Sequence, residues 1–120
     1  MSAARVDAAA LLRELPAAVT VCDGAGTILE MNDRAARMFG KRGGRALIGS
    51  SLLDCHPEPA RAVLLGLLAR REANAYTVEK GGRHRMVWQA PWYASGEYGG
   101  LVEVVFEIPA PLPHRVRDAG

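Results

Sequence analysis

Cysteine, histidine and lysine are all scarce in this chain of 120 residues. Two cysteines, Cys22 and Cys55, are too few for a disulfide framework. With His56, His84 and His114 they match no zinc-finger spacing, so a structural metal is not expected. No apolar run approaches the roughly twenty residues that cross a bilayer. The opening Met-Ser-Ala-Ala-Arg-Val-Asp also lacks the charged-then-apolar pattern of a signal peptide. A cytoplasmic protein with no membrane partner is therefore expected. An excess of one charge is missing too: fifteen basic residues face thirteen acidic ones, for a net charge of +2. Nucleic-acid binders usually concentrate basic charge in a stripe, so no nucleic-acid partner is expected. What is present, 49% apolar and 23% charged residues, fits one soluble domain with a single core. No internal repeat or low-complexity segment interrupts it.

Taken in order, Asp7 can cap a first helix that carries Ala8, Leu11, Leu12 and Leu15 on one stripe and ends at Pro16. Residues 17–22 and 27–31 read as two strands joined by Asp23-Gly24-Ala25-Gly26. Asn32 is a favoured N-cap for a helix bearing Ala35, Ala36, Met38 and Phe39, with Gly40 as its left-handed stop. Residues 46–49 form one short turn. The stretch Cys55-His56-Pro57-Glu58-Pro59 then forbids regular helix, and Ala60, Val63, Leu64, Leu67 and Leu68 make the stripe of the longest helix. Strands follow at 75–80, 83–93 and 98–108, the first two joined by Gly81-Gly82. In the fourth strand His84, Met86, Trp88, Ala90 and Trp92 share a face. In the fifth, Val102, Val104, Phe106 and Ile108 share one, while Leu101 and Val105 lie opposite with Glu103 and Glu107. The order β-β-α-α-α-β-β-β implies an α+β domain, with a five-stranded antiparallel sheet and helices over one face.

That order resembles the PAS domain. Asp23-Gly24-Ala25-Gly26-Thr27-Ile28 with Met31-Asn32 is similar to the family's first hairpin and the Asn opening its next helix. Leu47-Ile48-Gly49-Ser50-Ser51-Leu52-Leu53 resembles its central turn, and 96–104 its last hairpin strand. Cys55-His56-Pro57-Glu58-Pro59 is similar to the Cys-His-Pro-Pro signature of one PAS subgroup, with the second proline displaced. The resemblance implies a stand-alone sensory or interaction module rather than an enzyme. Residues 1–15 would form a capping and dimerisation helix, 16–109 the PAS domain, and 110–120 a flexible tail. It also implies a homodimer and a separate signalling output protein. A small apolar or aromatic ligand would lie between sheet and helices.

The pocket residues expected on that basis are Met38, Phe39, Leu53, Cys55, His56, Leu64, Met86, Trp88 and Val104. Those expected at the dimer interface are Leu11, Leu12, Leu15 and Trp92. Cys55 and His56 are chemically able to ligate haem iron. Against that, haem-binding PAS domains usually take a histidine from the long helix, which has none here. As a catalytic dyad the pair is poor, because adjacent side chains point apart. The plainer reading makes Cys55 a small buried hydrophobe and has His56 satisfying local carbonyls where the prolines break the helix. Arg34, Arg37, Lys41, Arg42 and Arg45, with Asp33 their only acidic neighbour, could attract an anion. With no aromatic interleaved to stack bases, a solvated basic face is the simpler reading.

Overall fold

The computed structural model describes residues 5–119. Strands Ala18–Asp23 (β1), Ile28–Met31 (β2), Asn74–Lys80 (β3), Arg83–Ala94 (β4) and Glu97–Ile108 (β5) form one sheet in the order β2-β1-β5-β4-β3. Every pairing in it is antiparallel. Helices Ala8–Glu14 (α1), Asp33–Met38 (α2) and Ala60–Arg70 (α3) complete the domain, with three short 3-10 turns between α2 and α3. The α+β architecture expected from the order of elements is the one observed.

Local chemistry accounts for the boundaries. Asp7 caps α1, accepting from the amides of Ala9 and Ala10 at 3.1 and 3.4 Å. Asp23 Oδ1 closes the β1–β2 turn, accepting from Ala25 and Thr27 at 3.0 and 2.9 Å. The expected stop at Gly40 is not where the chain turns left-handed. The amides of Arg42 and Gly44 both donate to the Phe39 carbonyl, so α2 runs on into 3-10 turns. Gly43, at φ +119°, takes the left-handed position instead. The segment carrying Gly49–Leu52 then lies along the open edge of β2: Ile28 N donates to Ser50 O and Leu52 N to Gly26 O. This covers an edge that would otherwise template pairing with another chain.

The core lies between the sheet and α2–α3. It is built from Ala18, Cys22, Met31, Val87, Leu101 and Val105 on the sheet side, against Leu52, Leu64, Leu67 and Leu68. Only the later part of the expected α3 stripe is buried; Val63 is 48% exposed. Register decides which sheet face is inward. Val87 pairs with Val105, and Gln89 with Glu103, while Trp88 pairs with Val104 and Met86 with Phe106. Val87 and Val105 belong to the helix-side core, so Met86, Trp88 and Val104 face the other way. The expectation that these three line a sheet–helix pocket is corrected accordingly. The bulkier stripe of β4 and β5 faces outward because Gln89 and Glu103 satisfy each other inside, letting the smaller apolar residues beside them pack against α3.

Candidate functional site

Cys55 ends a 3-10 turn, Leu52–Cys55, whose start is capped by the Ser51 hydroxyl accepting from Leu53 N. The Cys55 thiol donates to Ser51 O at 3.9 Å, and His56 Nδ1 donates to Leu52 O at 2.8 Å. Both side chains are thus held by carbonyls of their own turn, and no hydrogen bond joins them. Arg42 fixes the turn from outside, donating to Cys55 O at 2.8 Å. The arrangement closes the chain before α3 and builds no nucleophile–base dyad. It does not fit a haem either. The crevice beside Cys55, between Thr20, Met31, Phe39 and Leu52, leaves no water-sized space, and His56 is turned back onto its own backbone.

Of the expected pocket residues, Met38, Phe39, Leu53 and Leu64 belong to the helix-side core or pack against it, and Cys55 lines the crevice. Met86, Trp88 and Val104 lie across the sheet. Sequence reasoning missed the polar strip on the inner face. There Asn74 Nδ2 donates to Gln89 Oε1 at 3.0 Å and Gln89 Nε2 donates to Glu103 Oε2 at 2.9 Å. Gln89 and Glu103 are buried, as is Thr20, the partner of Glu103 across β1 and β5. A buried carboxylate needs such a donor. The available signal was Glu103 alternating between Leu101 and Val105.

Burial also pushes the Cys22 thiol above its ordinary value of 9.0. A backbone hydrogen bond at Leu101 opposes the shift, while Asp23 and Glu103 add to it. Burial likewise raises Tyr98 and Tyr76 above 10.0. Each group holds its proton more tightly folded than unfolded. Their contribution is therefore complete below the unfolded values and is lost as pH rises through the folded ones. Denaturant titrations should show stability falling as pH climbs past about 9. An unchanged midpoint across that window would contradict the assignment, as would maleimide labelling of Cys22 without unfolding.

The outer face is differently built. Helix α1 lies beside its β1–β2 side, where Ala9 and Leu12 border a hollow of about 240 Å³ with Val19, Val21 and Glu30. Trp92 crosses β5 there: its ring would meet any Cβ at Gly99, and its Nε1 donates to Cys22 O at 2.9 Å. Trp92, expected at an interface, is thus already engaged within the chain. The exposed large residues are Trp88 (43%) and Phe106 (39%), flanked by half-buried Met86, Val102 and Val104. On α1, Leu11 is 58% exposed and Leu12 39%. Neither region is covered by other described residues.

The model of the PAS fold matches residues 7–95, three-quarters of the chain. The chain belongs to the PAS fold family. The match ends at the β4–β5 turn, and β5 completes the PAS sheet. Among solved structures, the PAS domain of BvgS from Bordetella pertussis is similar at 23% identity and a TM-score of 0.63, covering 83% of this chain and 82% of that one. A sensory box sensor histidine kinase from Vibrio cholerae gives 16% and 0.59, covering 84% and 89%. The Aer2 receptor of Vibrio cholerae, described as a dual PAS-heme oxygen sensor, gives 16% and 0.58, covering 78% and 95%. No curated protein matches this PAS chain. Among the described residues no helix is long and apolar enough to cross a membrane.

Proposed function

We propose that this chain is a PAS-type sensory signalling module that works by association. It forms a homodimer through the outer sheet face and α1, and its signal is read by a separate output protein. The observation that carries this reading is the uncovered strip of Trp88, Phe106, Val104 and Met86, together with the exposed leucines of α1. A tryptophan buries about 150–250 Å² when covered, worth several kcal/mol at about 25 cal/mol per Å². In a two-fold pair the same strip meets itself, so one surface supplies both halves of the contact. The filled interior supports association over an apolar or aromatic ligand, because the crevice at Cys55 has no space for one. The likeness to PAS domains of a sensor kinase and a receptor supports the sensory role. No catalytic step is assigned, since Cys55 and His56 are tied to backbone carbonyls.

Sedimentation velocity tests the proposal. The purified chain should sediment with the mass of two copies. Trp88→Arg and Phe106→Arg should each weaken the pair at least ~10-fold, the loss of one interface anchor. Leu11→Asp should do the same from the helix side. A wild-type chain that stays monomeric throughout the micromolar range would sink the reading, as would variants that dimerise unchanged.

A further inference from the structure

Folding gathers positive charge at one end of the sheet, where β1 begins, β5 ends and the β3–β4 hairpin turns. Two hollows lie there under α2, with volumes of about 390 and 410 Å³, and both are lined by Arg37, Met38 and Arg85. Arg34 and Arg83 border the first; Lys41, Arg42 and Lys80 border the second. Seven of the chain's fifteen cations therefore line one trough, against a single carboxylate, Glu107. That carboxylate is already occupied, accepting from Arg83 at 3.0 Å. Among the described residues, Arg34, Arg37, Lys41, Lys80 and Arg85 have no acidic partner within ion-pair distance. A chain with a net charge of only +2 has acids to spare, yet none of the others comes to this trough.

We infer that the trough is a binding site for a small organic polyanion bearing phosphate groups. Three features select that class. Guanidinium forks bind phosphate bidentately, and Arg37 and Arg85 stand where the two hollows meet, so they can share one anionic group between them. Five uncompensated cations match the multiple charge of a diphosphate better than that of a single carboxylate. Met38, Phe39 and Phe106 give the walls an apolar part, suited to an organic moiety as well as to its charge. The concave shape and small volume favour a compact ligand over a nucleic-acid strand, which would need a long basic track. Arg85 lies on the helix-side face of the sheet, opposite the Trp88 strip, and Phe106, which borders the first hollow, is where the trough adjoins the proposed dimer surface.

Isothermal titration calorimetry of the whole chain with ADP and with inorganic pyrophosphate tests this. Both should bind, ADP more tightly through its organic part, and affinity should fall as salt is raised. Arg37→Gln and Arg85→Gln alter exposed or half-exposed side chains and should each weaken ADP binding ~10-fold or more, the loss of a charge-assisted contact. Arg61→Gln and Arg70→Gln, on the solvent side of α3, should leave binding unchanged. Trp88→Arg should also leave it unchanged, which separates failure here from failure of the dimer proposal. No binding of either probe at low salt would overturn the inference, as would equal losses in the control variants. A short duplex DNA that binds more tightly than ADP and displaces it would replace the small ligand with nucleic acid.

Discussion

Asn32→Ala is expected to destabilise the domain by about 3–5 kcal/mol, because one buried side chain makes four hydrogen bonds in three directions. Its Oδ1 accepts from Val19 N at 2.9 Å and from Ala35 N at 3.0 Å; its Nδ2 donates to Leu12 O at 3.0 Å and Ala17 O at 2.8 Å. The second of these bonds is the helix cap that the sequence predicts. The others pin the start of β1 and the end of α1 to the same residue. Alanine would take away the side-chain partner of the buried Val19 and Ala35 amides and of the Ala17 carbonyl, while Leu12 O keeps the Leu15 amide. Each unpaired buried group costs more than the bond itself contributes. Asn32→Asp separates the two halves of the effect. It keeps both acceptor bonds but places a carboxylate against the carbonyls of Leu12 and Ala17, so it should lose stability while still capping α2. Urea unfolding reads the difference, and hydrogen exchange at α1 should accelerate in both variants. An Asn32→Ala chain within about 1 kcal/mol of wild type would show that the bonds are individually dispensable. Because α1 carries Leu11 and Leu12, loosening its anchor should also weaken the proposed dimer.

Gly100→Ala is the second large effect, expected at about 3–5 kcal/mol from overpacking and backbone strain together. Gly100 sits in β5 at φ +149°, and a Cβ there would lie 2.1 Å from Cys22 O and 2.7 Å from Asp23 Cα. These are backbone atoms of the neighbouring strand, so no side chain can swing aside. Separating β1 from β5 would also disturb the Trp92 bond to Cys22 O. Gly99 makes the contrast: a Cβ there would meet the Trp92 ring at 2.2 Å, a side-chain obstacle that can be displaced. Gly99→Ala should therefore cost less and appear as a changed Trp92 fluorescence, whereas Gly100→Ala should reduce the yield of folded protein outright. Equal and small effects at both positions would show that β5 can shift away from β1.

The order of elements was legible in the sequence because its determinants are local. Asp7 and Asn32 cap the helices they precede, the Asp23 turn joins the first hairpin, and Gly81-Gly82 joins β3 to β4. The His56 half of the plainer reading was legible for the same reason, since its ring hydrogen-bonds the carbonyl four residues back, whereas Cys55 is half-buried, its thiol donating to Ser51 O. The direction of each sheet face was not. Alternation in β4 and β5 yields two stripes, and the one with Trp88 and Phe106 looks more like a core than the one with Gln89 and Glu103. Only the pairing of Gln89 with Glu103 makes the smaller stripe fit to be buried.

The same division holds for the sites. By itself the sequence determined a five-stranded α+β domain of the PAS family, its capped helices, and a basic segment around α2, because periodicity, caps and turns act over a few residues. The tertiary structure decided what those pieces face. It turned Trp88 outward, engaged Trp92 across β5, and brought Lys80, Arg83 and Arg85 alongside Arg34 and Arg37 from about fifty residues away. Those outcomes depend on register and on which strands become neighbours, which the whole chain sets by burying its apolar surface together.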